Sequence, residues 1–353
     1  MAATLLDLTQ QGDVATISDE SKLDKVKLLA PQQLYELWER QQWLSQEIDF
    51  SRDVEDWASL TDEEREWFVW GMSAFFVGEE RVTTQFSGLV MAYEDEQEEA
   101  FLTTQQVDEA RHMQFFDRFY REVVGMRDAA IQDRLAKVRE NLNDAFVKLF
   151  DEALVEAGQR LIADPTSAEA KVEFVTAYHM VIEGTLALTG QWTITDYWEK
   201  TGKMPGFLEG FRNVARDEHR HVAYGTWYLK RACAQNAALA DRMRATLTEL
   251  LPIASGVLVP PGQDPNDWEL LGYTSEQVNK FAFTALTRRL KVIGVPLVAP
   301  EPAAALLYSS FNSRSFAQRG SGSGSCRCCS GSVSLSETPH TGHSPLQSGR
   351  HSS

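Results

Sequence analysis

Cysteine, positive charge and long apolar runs are all scarce in this 353-residue chain. Of its four cysteines only Cys233 lies in the body, while Cys326, Cys328 and Cys329 crowd near the C-terminus. That spacing excludes a disulfide framework and matches no usual zinc pattern. Basic residues number 34 against 51 acidic ones, a formal charge of −17. Nucleic acid and anionic membrane surfaces both require a basic face, so neither is an expected partner. No apolar stretch approaches the ~20 residues needed to cross a bilayer. The first residues lack a basic segment followed by an apolar one. Strand signals are equally thin, with no alternating run bounded by hairpin turn residues. A cytoplasmic, all-α protein is the expectation.

The charge is unevenly spread. From Arg314 onward the chain holds four Arg, no Lys and one Glu, which leaves 30 basic and 50 acidic residues before it. The body is therefore more acidic than the whole. Residues 313–353 are rich in Ser and Gly and poor in apolar side chains, the composition of a disordered tail. The expected division is a helical domain over 1–312 and a low-complexity tail over 313–353. His340, His343 and His351 in that tail are not expected to ligate an ordered site.

The body reads as long helices. Thr61 and Glu64 form a capping box before an apolar-periodic stretch that runs to about Glu96. Further helices are expected over about 98–124, 128–163, 167–200 and 205–235. Shorter ones are expected at 31–44, 238–251 and 275–292. Several exceed 25 residues, which favours a long-helix bundle over a compact globin-type fold.

One internal repeat stands out. Asp108-Glu109-Ala110-Arg111-His112 matches Asp217-Glu218-His219-Arg220-His221 at four of five positions. In each copy Glu and His stand three residues apart, so both lie on one helix face. A carboxylate and an imidazole side by side make half a site for a first-row transition metal. Dinuclear sites in four-helix bundles add one Glu from each of two further helices. Here Glu79 or Glu80 precedes the first copy, and Glu183 precedes the second. Glu183 is the only acid between Glu173 and Asp196. An unpaired carboxylate in such apolar surroundings calls for a cation. Glu79 and Glu80 lie about 100° apart on a helix, so only one faces the site; the pattern alone leaves the choice open.

These residues resemble the ferritin-like dinuclear carboxylate superfamily, and within it the ligand-binding oxidases related to the ribonucleotide reductase small subunit. The resemblance implies a ferritin-like four-helix bundle with additional helices. Such oxidases carry a Val three residues after the first Glu ligand and a Tyr five before the third, joined by an ether cross-link. Val82 and Tyr178 hold those positions, which favours Glu79 over Glu80. The implied ligands are Glu79, Glu109 and His112 for a first ion, manganese, and Glu183, Glu218 and His221 for a second, iron. Two irons are the alternative. Glu109 and Glu218 are the implied bridges, O2 the implied oxidant, and a long-chain fatty acid the implied ligand. A homodimer is expected.

The rival readings are a ribonucleotide reductase small subunit, an acyl desaturase or hydroxylase, and a ferroxidase. The position four after the first ligand His, where radical-generating subunits usually carry Tyr, holds Phe116. Asp108 and Asp217 are expected either to bond a ligand His across the two halves of the repeat or to stand solvated, with Arg111 and Arg220 able to neutralise them. His179 and His219 are expected to be packing or surface residues. Gly78, Gly184 and Gly190 each cost ~1 kcal/mol relative to Ala in a helix, and would admit a bulge or a close approach. Phe75, Phe76, Phe86, Leu186 and Leu188 are candidates to line an acyl tunnel. Trp67, Trp70 and Trp192 are expected in the core or an interface.

Overall fold

Capping side chains mark where the long helices begin. The computed structural model describes Val26 and residues 28–297. The expected tail, with its cysteines and histidines, and the boundary at 312 and 313 lie outside the described residues. Pro31–Arg40 (α1) and Ser51–Ser59 (α2) precede the bundle. Thr61 then accepts from the Glu64 N–H at 3.1 Å, and Glu64 accepts from the Thr61 N–H at 2.7 Å, opening Asp62–Gln85 (α3). A short helix, Ser87–Met91 (α4), follows. Asp95 accepts from the N–H groups of Gln97 and Glu98 and opens Glu96–Phe119 (α5), which continues as a π-helical turn to Val124.

The stretch expected to run unbroken to about Glu96 therefore breaks after Gln85. Gln106 of α5 donates to the Thr83 carbonyl at 3.0 Å and to Ser87 Oγ at 2.7 Å, bonding backbone that the break frees. The helix expected over 128–163 is likewise divided. Ile131–Val138 (α6) ends, Asn143 caps a new start at the Phe146 N–H, and a π-helical stretch leads into Leu154–Ala163 (α7). An Asn side chain that satisfies a free N–H is a restart signal.

The second half of the bundle begins with Ala168–Val175 (α8), passes through a π-helical segment at Thr176–Ala187, and continues as Leu188–Thr201 (α9). Pro205–Gln235 (α10) returns alongside it. Its start is held by two buried acids: Asp53 accepts from Gly206 and Phe207, and Asp56 from Met204. A Cβ at residue 206 would lie 2.2 Å from the Asp49 carbonyl oxygen, so glycine is required there. Ala237–Val257 (α11) runs through Pro252 and outlasts its expected end. A hairpin of Glu269–Leu270 (β1) and Tyr273–Thr274 (β2) follows, with Leu270 opposite Tyr273. Leu271 and Gly272 both have positive φ, as a tight two-residue turn demands. Ser275–Ile293 (α12) closes the described residues.

The fold is the ferritin-like bundle expected, with additional helices. Helix α3 packs along α5, and the π-helical segment packs along α10. Aromatic side chains fill the space between: Phe68, Phe115, Phe119, Phe207 and Trp198 are all essentially inaccessible to solvent. The polar exception to this core lies halfway along the four helices.

Candidate metal centre

Each bundle helix contributes acids to one buried cluster. Glu79 comes from α3, Glu109 and His112 from α5, Glu183 from the π-helical segment, and Glu218 and His221 from α10. All six are buried, whereas Glu80 is half exposed, so Glu79 is the residue that faces the cluster. Two quartets emerge: Glu79, Glu109, His112 and Glu218; and Glu109, Glu183, Glu218 and His221. His112 Nδ1 lies 3.6 Å from Glu79 Oε2, 3.5 Å from Glu109 Oε2 and 3.2 Å from Glu218 Oε1. His221 Nδ1 lies 3.0 Å from Glu109 Oε1, 3.3 Å from Glu183 Oε1 and 3.3 Å from Glu218 Oε2. Glu109 and Glu218 thus present one oxygen to each imidazole.

These buried groups perturb one another strongly. Burial pushes the Glu79 and Glu183 carboxyls well above the usual carboxylate range. Burial would raise Glu109 too, but the imidazoles of His221 and His112 outweigh it and hold Glu109 well below. Both imidazoles rise well above their ordinary value; burial opposes this, and the charges of Glu79 on His112 and of Glu109 on His221 lead the attraction. His112 Nδ1 and Glu183 Oε2 are buried and make no hydrogen bond. Orphaned polar atoms in a dry core are costly. Four carboxylates and two imidazoles converging with free lone pairs are the donor set for two first-row divalent ions. The residues present fit a dinuclear metal site.

The far side of each imidazole is fixed by the opposite half of the repeat. His112 Nε2 lies 3.3 Å from Asp217 Oδ2, and His221 Nε2 lies 3.2 Å from Asp108 Oδ2. These crossed bonds orient each ring so that Nδ1 faces the carboxylates. Arg220 donates to Asp108 at 2.8 Å and to Asp217 at 2.6 Å, and Arg111 also bonds both acids. Burial would raise the Asp217 carboxyl, but His112 and the two arginines hold it low. Two tryptophans that sequence reasoning missed complete the arrangement. Trp43 Nε1 donates to Asp217 at 2.7 Å, and Trp38 Nε1 to Asp108 at 2.9 Å.

Tyr178 is fully buried, and its hydroxyl donates to Glu109 Oε1 at 2.5 Å. Gln105, also missed in the sequence, donates to Tyr178 Oη at 3.3 Å and to Glu183 Oε1 at 3.4 Å. His179 is a core residue bonded to Gln105, with Nε2 to Nε2 at 3.1 Å. Phe116 sits in an aromatic group with Phe75, Phe115 and Phe211, so no phenol stands there.

An apolar cavity opens from this cluster. Glu79, Val82, Tyr178 and Glu183 line it beside the cluster, and Trp67, Trp70, Trp268 and Tyr273 also line it. Residues 67 to 82 of α3 span about 22 Å along the helix axis. Phe75 and Leu186 line the cavity as expected; Phe76, Phe86 and Leu188 do not. Trp67 and Trp70 therefore face the cavity, while Trp192 stacks on Phe281 at 4.5 Å. A Cβ at residue 190 would come within 3.0 Å of the Phe75 ring, so Gly190 leaves that wall its present shape. Gly184 lies inside the π-helical segment, where a Cβ would fall 2.7 Å from the His179 carbonyl oxygen.

The family model for the ribonucleotide reductase small chain matches residues 25–298. Solved structures agree. The chain is similar, at 30% identity and a TM-score of 0.65, to a variant of an R2-like ligand-binding oxidase with an anaerobically reconstituted Mn/Fe cofactor; the match covers 75% of this chain and 93% of that one. A second variant of that oxidase, with an aerobically reconstituted Mn/Fe cofactor, matches at 29% identity and a TM-score of 0.66, covering 75% and 94%.

Proposed function

Since this chain belongs to the ribonucleotide reductase small-chain family, we propose that it is an oxygen-activating dinuclear metal oxidase that binds a long-chain fatty acid. The observation that carries this reading is the division of Glu109 and Glu218, each of which offers one oxygen to either imidazole. Glu79, Glu109 and His112 would hold a manganese ion, and Glu183, Glu218 and His221 an iron, with Glu109 and Glu218 bridging; two irons are the alternative. Bound there, the metal pair would supply two-electron oxidation of a strong C–H bond at the expense of O2.

The remaining work belongs to the protein. The apolar cavity takes the alkyl chain, whose burial stabilises binding by roughly 0.8 kcal/mol per methylene. The acid's carboxylate would lie at the end lined by Glu79, Glu109, Glu183 and Glu218, the residues that would hold the cations. Trp67, Trp70 and the hairpin restrict water in the cavity. Val82 offers a buried C–H and Tyr178 a buried phenolic oxygen on the same cavity wall. Tyr178 Oη, which donates to Glu109 Oε1, would give up its proton and Val82 one C–H hydrogen as the ether bond forms, two protons and two electrons in all, for which O2 would be the final acceptor. Phe116, set among Phe75, Phe115 and Phe211, holds the position where radical-generating subunits usually carry Tyr, which disfavours a reductase subunit of the tyrosyl type.

Intact mass after aerobic metal loading tests this reading. Loss of two hydrogens and a linked peptide containing Val82 and Tyr178 are expected. Fully loaded, oxygen-exposed protein lacking that link overturns the cross-link. Anomalous scattering at the Mn and Fe edges identifies the ions.

A further inference from the structure

A second buried polar group lies at the other end of Tyr178's neighbourhood, and nothing in the proposed reaction uses it. Glu98, Lys171 and Tyr224 are all inaccessible or nearly so. Lys171 Nζ lies 3.0 Å from each Glu98 oxygen, and the Tyr224 hydroxyl donates to Glu98 Oε1 at 2.7 Å. Among the described tyrosines, only Tyr178 and Tyr224 are both fully buried and bonded to a carboxylate.

Aromatic rings connect the two. The Tyr178 and His179 ring centroids are 4.6 Å apart, and those of His179 and Tyr224 are 5.3 Å apart. Outward, Tyr224 lies 6.0 Å from Trp227, which is half-buried beneath the Arg231 guanidinium. The contact with His179 depends on the next residue of α10. A Cβ at Gly225 would fall 2.3 Å from His179 Cβ, so only glycine lets the two rings approach.

The chemistry of a phenol gives this arrangement a use. Oxidation makes a phenol strongly acidic, so it gives up an electron readily only where its proton has somewhere to go. Tyr120, also buried, has no carboxylate partner and bonds Ser73 and a backbone carbonyl. Tyr224 donates to a carboxylate, so a group that can take its proton already stands 2.7 Å away, and Lys171 bonds both oxygens of that carboxylate. An oxidising centre that fails to find a C–H bond must discharge elsewhere, and a Tyr–His–Tyr–Trp line toward the surface offers the way out.

We propose that Tyr224 is a redox-active tyrosine that drains surplus oxidising equivalents from the centre. One electron would leave Tyr224 by way of His179 and Tyr178 toward the metal pair, for which O2 would be the oxidant, and the phenolic proton would move to Glu98. Trp227 then returns an electron as Glu98 returns the proton, and a one-electron donor in solution, such as ascorbate, re-reduces Trp227. The hole's origin rests on the oxidase reading above; the redox character of Tyr224 does not.

Two arms separate these. In the first, the full-length metal-free chain is photo-oxidised with ruthenium tris(bipyridine) and a sacrificial acceptor and followed by electron paramagnetic resonance. A persistent neutral tyrosyl signal is expected, lost in Tyr224→Phe and short-lived in Glu98→Gln. The same signal in Tyr224→Phe, or no tyrosyl signal at all, overturns the assignment. In the second, metal-loaded protein is mixed with O2 and freeze-quenched. A tyrosyl signal lost in Tyr224→Phe is expected; oxidised metals with no such signal overturn the connection to the centre. Metals that do not react with O2 sink the oxidase reading, and the first arm still decides Tyr224.

Discussion

Asp108 receives four bonds and sits adjacent in sequence to a residue that would bridge two metals. Trp38, Arg220, Arg111 and His221 all converge on it. Asp108→Asn keeps the shape but replaces an anion by an amide, so the His221 N–H loses its charged acceptor. Loss of such a supporting carboxylate costs about 10–100-fold in metal affinity. The expected result is weaker binding at the Glu183–Glu218–His221 site with the other site little changed, read by metal titration of the purified chain. Unchanged affinity at both sites would refute the role. A companion change is Gln105→Leu, which removes the amide that bonds both Tyr178 and Glu183; it should slow Val82–Tyr178 linking severalfold at equal metal content. The acids and imidazoles of this centre were legible in the sequence because helical spacing is local: a three-residue offset puts Glu and His on one face wherever the helix goes. Trp38, Trp43 and Gln105 were not legible. Their partners lie 70, 174 and 73 positions away in the chain, and no periodicity reports which indole ends beside which aspartate.

At the scale of the element, helix starts carry most of the local information. Glu64 both closes the α3 capping box and receives Tyr197 and Lys203 from across the bundle. Burial would raise its carboxyl, but the bonds from Thr61, Tyr197 and Lys203 outweigh it and hold it below the ordinary value. A depressed folded-state value means the stabilisation is present above the unfolded value of 4.5 and is lost as pH falls through the folded one. Glu64→Gln should therefore destabilise the chain near neutral pH by about 1 kcal/mol, since Gln can keep the capping-box bond but loses the charge that receives Tyr197 and Lys203. The gap from the parent should close below about pH 4, measured by urea unfolding across pH; a constant gap would contradict the assignment. The Glu98–Lys171 pair, which ties α5 to α8, makes a larger prediction. Glu98→Ala strands a buried ammonium and should cost about 3–5 kcal/mol, whereas replacing both residues by leucine should cost far less; equal losses in chemical unfolding would argue against a desolvated pair. The capping box and α10 from Pro205 to Gln235 were readable because their signals lie in adjacent residues. The π-helical segment and the Leu271–Gly272 hairpin were not. The first depends on which backbone groups find partners, such as the Gly184 carbonyl bonded by buried Arg289 at 2.8 Å, and the second is too short to alternate.

For the whole molecule, the excess of acid has two separate causes. Most acids solvate long helices, but four carboxylates are folded into the dry middle of the bundle with only two imidazoles to offset them. Burial pushes Glu79 and Glu183 toward the neutral form, while the carboxylates beside them push both imidazoles toward the charged one against their own burial. That is an expensive arrangement for a core, because burial disfavours the charged form of acid and imidazole alike. Two divalent ions would remove the conflict, letting all four acids ionise and both imidazoles stay neutral. Metal binding should then be coupled to folding and to proton release. Binding at a thousandfold over Kd contributes about 4 kcal/mol, which corresponds to a rise in Tm on the order of 10 °C. Calorimetry of chelator-treated and Mn/Fe-loaded protein should show that rise, together with protons released on loading in a weakly buffered titration. Glu183→Ala should keep the fold, lose the second-site part of the Tm increment and release fewer protons. If loading moved neither Tm nor protons, the buried acids would have to be satisfied by the imidazoles alone, and the dinuclear reading would fall with them.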